Sequence, residues 1–203
     1  MSITGTAESG PIRVGLPVGD VCAGMWAALG VQAAVIDRMT SGKGQRVETS
    51  LLAGLVGMLN VQGQRQLTLG DTPQRIGNDH PVICPYGAFE AKDGPFNMAA
   101  LTDDMWRKLC TLTGLDDLAT HPDFKDNTAR MRRRDEIKQR LNAVFAKRTR
   151  LEWTKDLVKL GLPAGPIYSL ADVFEDAQVK HWGMVETVAH SKLGDIKLLR
   201  SEE

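Results

Sequence analysis

The sequence predicts a mixed α/β (α+β) fold, in which apolar helices come first and a smaller module of helices and strands follows. Three observations support this prediction. The run Val21–Ile36 contains one strongly polar side chain, Gln32, as is typical of a helix buried nearly all round. Two later stretches show hairpin patterns around glycine turns, and amphipathic helical segments lie between them.

Composition and charge narrow the class of protein. The chain has 203 residues, of which 42% are hydrophobic and 25% charged, as in an ordinary soluble globular protein. Basic and acidic residues number 25 each, so we expect no nucleic acid partner. Three scattered cysteines without a CxxC motif favour reduced thiols and a cytoplasmic location. The first residues lack a basic region followed by an apolar core, so no signal peptide is expected.

The first helix is expected to begin at Asp20. This aspartate follows Gly19 and precedes the apolar run, which is the usual place of a helix N-cap. A carboxylate there is stabilised by the helix dipole, and besides capping it can act as a nucleophile or a base. The apolar run is too short and too interrupted to predict a membrane span, so no membrane partner is expected.

Gly42 is predicted to end this helix, and the alternating segment Gln45–Thr49 predicts a short strand. Leu51–Leu67 predicts a second, largely buried helix. The segment Gly70–Pro73 then interrupts the helical pattern and predicts a domain boundary. We therefore expect one domain over residues 1–70.

The remainder predicts a compact α+β module. Lys92–Gly94 is the turn of a first hairpin, and a second hairpin turns at Lys192–Asp195. Thr102 begins a helix, and Thr149–Glu152 has the pattern of a capping box. An apolar helical face is expected from the residues Ile137, Leu141, Val144 and Phe145.

Two clusters have more than one interpretation. The basic run Arg130–Arg134 suggests a phosphate or nucleic acid site, but the neighbouring acidic residues favour a solvated helix face. Pairs such as His80 with Cys84 match no zinc spacing, so we expect no metal.

Several separate motifs occur in one order along nearly the whole chain. They are Gly-Leu-Pro-Val-Gly-Asp at 15–20, Gly42–Glu48, Ser50–Leu51, Asn78–Pro81, Pro85–Gly87, Asp93–Gly94, Trp106, Asp123–Phe124, Gly161–Pro166 and Gly183–Met184. Together they resemble the family III CoA-transferases, also called the CaiB/BaiF family. The resemblance implies that residues 1–70 belong to a large Rossmann-like domain, 71–190 form a small α+β domain, and 191–203 start the return to the large domain.

The resemblance also implies a reaction. Asp20 corresponds to the family's catalytic aspartate, which takes CoA from an acyl-CoA through a mixed anhydride and an aspartyl-CoA thioester and passes it to a carboxylic acid. CoA and acyl-CoA are then substrates, and no permanently bound cofactor is expected. Gly19, Gly77, Asn78 and His80 are candidate substrate-binding residues. His80 is more often a structural loop histidine, and its place opposite Asp20 is implied by the family alone.

Family members are considerably longer, and their N-terminal half would precede Met1. We therefore interpret the chain as a fragment that forms a homodimer or pairs with an N-terminal half. Two alternatives stay open: a 2-methylacyl-CoA racemase of the same superfamily, with Asp20 as acid or base, and a catalytically silent fragment that needs a partner chain.

Overall fold

The computed structural model describes residues 1–200 and has the predicted mixture of helices and strands. The contacts within the chain divide it into two compact units, Met1–Asn78 and Asp79–Glu203. We call these the N-terminal unit and the C-terminal unit. The expected domain boundary after residue 70 lies within the N-terminal unit and stays a prediction for proteolysis.

The N-terminal unit contains three helices: α1 (Val18–Ser41), α2 (Leu51–Gly57) and α3 (Asn60–Leu69). Helix α1 ends at Gly42 with a left-handed φ of 69°, as predicted. Its start was predicted wrongly, because Pro17 occupies the N-cap position and Asp20 lies in the first turn. Proline near a helix start is favourable, since its φ is already close to the helical value.

Two further predictions for this unit are wrong. Gln45–Thr49 forms no strand; the segment is irregular, and Val47 lies close against Gly30 of α1. A strand needs a neighbour to complete its hydrogen bonds, and residues 1–200 supply none here. The long helix predicted over Leu51–Leu67 is divided into α2 and α3, and Asn60, the first residue of α3, has a positive φ of 41°.

Burial in the N-terminal unit is also less than expected. Of residues 1–78, all of which the structure describes, only Cys22, Ala23 and Gly54 are buried. At Gly54 a Cβ would lie 3.5 Å from the Ala23 nitrogen, so α1 and α2 approach closely at this point. Most other residues of α1 are exposed.

Helix α1 is long and apolar enough, by length and composition, to cross a membrane. Its 24 residues correct the expectation that the apolar run is too short. The same test is passed by core helices of soluble proteins, so it is weak evidence for a membrane span.

The C-terminal unit contains a three-stranded antiparallel sheet, in the order β1 (Tyr86–Ala91), β2 (Gly94–Ala99) and β3 (Ala164–Pro166). A separate hairpin is formed by β4 (Val185–His190) and β5 (Gly194–Leu199). Both predicted hairpins are thus confirmed. The helices are α4 (Asp103–Thr113), α5 (Asp116–Thr120), α6 (Asn127–Arg132), α7 (Arg134–Phe145), α8 (Arg150–Lys159), α9 (Leu170–Glu175) and α10 (Ala177–His181), with a 3₁₀ turn at Pro122–Phe124.

An aromatic cluster holds the core of the C-terminal unit. Phe145 packs edge-on against Phe96 and Trp153, with ring centroids 5.0 Å apart in each pair. The Trp153 indole Nε1 donates to the Phe145 carbonyl oxygen at 2.9 Å, so its polar atom is satisfied. The α7 face predicted from the sequence is confirmed, since Ile137, Leu141 and Phe145 are fully buried.

The predicted helix starts are confirmed too. The Thr102 side chain accepts a hydrogen bond from the Met105 nitrogen. Thr149 and Glu152 form a complete capping box at the start of α8. These are local interactions, which the order of residues specifies directly.

The interpretation of Arg130–Arg134 as a solvated face is wrong for Arg130, which is 1% exposed. Its guanidinium donates to the Cys84 carbonyl oxygen at 2.9 Å, to the Phe124 carbonyl oxygen at 3.2 Å and to Asp103 at 2.7 Å. It also lies over the Trp106 ring, 5.4 Å from the centroid. This buried arginine therefore has a structural role, because it connects three separate segments of the C-terminal unit.

Candidate active site

Asp20 is presented on the first turn of α1, where Val18 and Gly19 are the only helical residues before it. Its side chain is exposed, and within residues 1–200 no hydrogen bond or ion pair engages its carboxylate. The residue lines an open cavity of about 220 Å³ in the N-terminal unit. The carboxylate is therefore accessible from this cavity.

The chain before α1 shapes this cavity. The backbone turns at Leu16–Val18, where the Val18 nitrogen donates to the Leu16 carbonyl oxygen at 2.9 Å. A Cβ placed on Gly19 would lie 3.5 Å from Leu55 Cδ1, an ordinary contact. The packing around Gly19 therefore accommodates a Cβ, and Gly19 lines the cavity next to Asp20.

Gly77 has a structural role in the N-terminal unit. Its φ is 65°, and its nitrogen donates to the Gly5 carbonyl oxygen at 2.8 Å. A Cβ there would lie 3.2 Å from Thr6 Cγ2, so both the conformation and the close approach favour glycine. Asn78, the next predicted residue, is exposed.

His80 belongs to the C-terminal unit and is held by several contacts. Its ring stacks on Tyr86 with centroids 4.7 Å apart and an interplanar angle of 10°. Its Nδ1 accepts from the Val82 nitrogen at 3.2 Å, and its carbonyl oxygen accepts from Arg134 at 3.0 Å. Burial, and then the nearby Arg134 guanidinium, lower the pKa of the His80 imidazole. These contacts describe a structural loop histidine, and its role toward substrate stays a prediction.

The loop from Asp79 to Pro85 is fixed by side chains from α6 and α7. Lys138 Nζ donates to Asp79 at 2.7 Å. The Asn127 side chain donates to the Val82 carbonyl oxygen at 2.8 Å and accepts from the Cys84 nitrogen at 3.0 Å. Sequence reasoning missed these anchors, because the pattern of a helical segment does not distinguish an anchoring polar residue from a solvated one.

Potential metal ligands and thiols are the other reactive groups within residues 1–200. No group of three or more His, Cys, Asp or Glu residues there is arranged to hold a metal ion. All three cysteines are free and buried. Burial raises the pKa of Cys84 to about 11 and that of Cys110 to about 12, which leaves very little thiolate at neutral pH. The Asp20 carboxylate, by contrast, is exposed.

The comparison with protein families is decisive. The family described as CoA-transferase family III matches residues 1–202. The chain belongs to this family. The mixed helical and stranded fold and the order of the sequence motifs agree with that membership.

Relatives of this family III chain are named as CoA-transferases. It is 34% identical to the succinate–glutarate CoA-transferase of Agrobacterium fabrum over 189 residues, which cover 91% of this chain and 46% of that protein. It is 32% identical to the acetyl-CoA:oxalate CoA-transferase of Acetobacter aceti, over 85% of this chain and 44% of that protein. The chain thus spans about half the length of the curated relatives it matches.

A solved structure agrees with the family III fold. The crystal structure of a CaiB/BaiF family protein from Brucella suis is 32% identical and superposes with a TM-score of 0.76. That match covers 100% of this chain and 56% of the other.

Proposed function

We propose that this family III chain carries the nucleophile of a CoA-transferase that moves CoA from an acyl-CoA to a small carboxylic acid. One observation supports Asp20 as that nucleophile. Its carboxylate is exposed on the first turn of α1, lines an open cavity, and has no hydrogen bond or ion pair within residues 1–200. A carboxylate held by a capping or ion-pair partner would first have to lose that partner.

In the first half of the proposed reaction, an Asp20 carboxylate oxygen attacks the thioester carbonyl carbon of the donor. The C–S bond breaks, CoA leaves as a thiolate, and Asp20 becomes part of a mixed anhydride. The thiolate then attacks the carboxyl carbon of Asp20 in the anhydride. The donor acid leaves as a carboxylate, and an aspartyl-CoA thioester remains.

In the second half, the acceptor carboxylate attacks the aspartyl carbonyl carbon and expels CoA thiolate. A second mixed anhydride forms between Asp20 and the acceptor. The thiolate attacks the acyl carbon of the acceptor, which becomes the new acyl-CoA and frees the Asp20 carboxylate. One thioester is exchanged for another, so no ATP is needed, and division into covalent steps is what nucleophilic catalysis provides.

The names of the relatives suggest the substrate class. Succinate, glutarate and oxalate appear in them, and all three are dicarboxylic acids. We propose a small dicarboxylic acid as donor or acceptor in this chain's reaction. Because these relatives are named for transfer, we propose transfer in preference to racemisation.

In the proposed active species, a single copy of this chain does not act alone. The chain spans about half the length of its curated relatives, and α1 exposes apolar side chains such as Trp26, Leu29 and Ile36. We propose that an N-terminal half, a second copy, or both complete the enzyme.

Mass spectrometry of the intact chain tests the role of Asp20. We expect that incubation with succinyl-CoA, together with the N-terminal half of the Agrobacterium relative, adds the mass of CoA less one water to this chain. Asp20→Asn should abolish both the adduct and turnover. Because Asp20 lies in the first turn without capping, its loss should cost only about 0.3–1 kcal/mol of stability.

Asp37→Asn provides the matched control, since Asp37 is an exposed aspartate near the other end of the same helix. It should retain the adduct. An adduct of the same mass on the Asp20→Asn protein would rule out Asp20 as the nucleophile.

A further inference from the structure

Arg13 shares the cavity of Asp20. Both residues line the same open space of about 220 Å³, entirely within the N-terminal unit. The Arg13 side chain is exposed and makes no hydrogen bond or ion pair with any residue between 1 and 200. Arg13 and Asp20 are the two charged side chains that line this cavity, and neither is neutralised by an ion-pair partner among residues 1–200.

The rest of the cavity wall combines apolar side chains from Ile12, Val14, Leu16 and Leu55 with polar groups. At a protein surface a guanidinium attracts an anion more strongly than in bulk water, because the effective dielectric constant there is lower. The volume is below the roughly 300–1,000 Å³ typical of pockets for drug-sized ligands. A short-chain acid suits this space better than a nucleotide.

The proposed reaction creates a need for such a cation. Asp20 must approach substrates that are themselves anionic, and a dicarboxylic acid brings a second carboxylate that does not react. Like charges in one cavity repel one another, and a guanidinium offsets that repulsion. Arginine also offers two parallel N–H donors that match a carboxylate.

We infer that Arg13 binds the non-reacting carboxylate of a small dicarboxylic acid while the other carboxylate, free or as its CoA thioester, meets Asp20. This inference rests on the proposed transferase function and assigns Arg13 as a specificity-determining residue. It makes Arg13 the reason for selecting a dicarboxylic over a monocarboxylic acid of the same length.

The test compares succinate with butyrate as acceptors, with acetyl-CoA as donor, in the chain completed by the N-terminal half of the Agrobacterium relative. Arg13→Gln should raise KM for succinate about ten- to hundredfold, because hydrogen bonds to charged groups are lost. KM for butyrate and the yield of the Asp20 adduct from acetyl-CoA should not change. Arg13→Lys should restore part of the succinate preference, since it retains the charge but not the paired donors.

Arg38→Gln is the matched control, because Arg38 lies in the last turn of α1 and does not line this cavity. It should leave both KM values unchanged. An equal rise for succinate and butyrate in Arg13→Gln would overturn the inference. So would a wild-type chain that does not prefer succinate.

A phosphate of CoA is the other anion that a guanidinium can bind. Replacing acetyl-CoA by its 3′-dephospho form distinguishes binding of the CoA phosphate from binding of the substrate carboxylate. If Arg13→Gln removes the difference between these two donors and leaves succinate and butyrate affected alike, Arg13 binds CoA and the inference fails. If the wild-type chain forms no Asp20 adduct at all, the proposed function fails instead, and the inference falls with it.

Discussion

The two units of this chain both contain large apolar side chains, but they differ in how far they bury them. In the C-terminal unit Phe145 is 0% exposed, packed among Phe89, Phe96 and Trp153. In the N-terminal unit Ile36 of α1 is 67% exposed. The difference lies in how apolar residues are distributed around each helix, because α7 presents one apolar face and α1 is apolar on several sides.

This comparison shows that apolar content does not by itself make a core. A helix with one apolar face needs neighbours on that side only, and the sheet and α8 cover this face of α7. A helix that is apolar all round needs neighbours on every side, and within residues 1–78 α1 meets α2 at the close approach of Ala23 to Gly54. Contiguous exposed apolar surface of this kind normally marks an interaction site.

Separating the units is the change with the largest expected effect. Residues 79–200 should unfold cooperatively in urea, since their core is closed. Residues 1–78 should show no cooperative transition and should bind a hydrophobic dye.

The whole chain should self-associate at low micromolar concentration in sedimentation. Limited proteolysis of the whole chain should cut between Leu67 and Arg75.

A compact monomer that binds no dye would contradict this comparison, because it would show that the N-terminal helices are covered within one chain. A protease-resistant core without a cut between residues 67 and 75 would contradict the predicted boundary.

Truncation of single side chains tests the same comparison, with a smaller expected change in the free energy of unfolding. Phe145→Ala should lower the free energy of unfolding by about 3–5 kcal/mol, the usual cost of removing a buried aromatic side chain. Leu52→Ala, at a side chain that is 73% exposed, should leave the same transition within about 0.5 kcal/mol. Urea denaturation followed by tryptophan fluorescence measures both.

Leu52→Ala should instead weaken self-association in sedimentation, because its side chain belongs to the uncovered surface. Equal losses of stability in the two variants would show that the N-terminal helices contribute to a closed core after all.

The smallest expected effect is the contribution of His80 protonation to the pH dependence of the free energy of unfolding. The pKa of its imidazole is lower in the folded chain than in the unfolded chain, mainly because it is partly buried. The unfolded state then binds more protons below the ordinary histidine pKa of about 6.5. The neutral His80 imidazole therefore makes its full contribution to stability above that pH. This contribution is lost as the pH falls toward the lower pKa of the folded state.

Urea unfolding at pH 5 and pH 7.5 tests this sign. The wild-type chain should lose more stability between these two values than His80→Gln, which has no imidazole to protonate. His121→Gln is a suitable control, since it replaces a second histidine of the same unit. An identical pH dependence in wild type and His80→Gln would show that His80 protonation is not coupled to folding.

The sequence determined the features that depend on neighbouring residues. The caps at Thr102 and Thr149, the two hairpins and the buried face of α7 follow from local spacing, because each involves residues a few positions apart. The order of motifs was sufficient for the family, and it singled out Asp20 as the candidate nucleophile, a role that the tests above address.

Only the tertiary structure decided the features whose partners are distant in the chain. Arg130 is buried because Cys84, Phe124 and Asp103 converge on it from three separate segments. Gln45–Thr49 remains irregular because no strand lies beside it among the described residues. The cavity that Arg13 and Asp20 line is completed by Leu55 of α2, from a later part of the chain. Spacing along a sequence specifies local hydrogen bonds and helical faces, whereas burial and cavities depend on which distant groups meet in space.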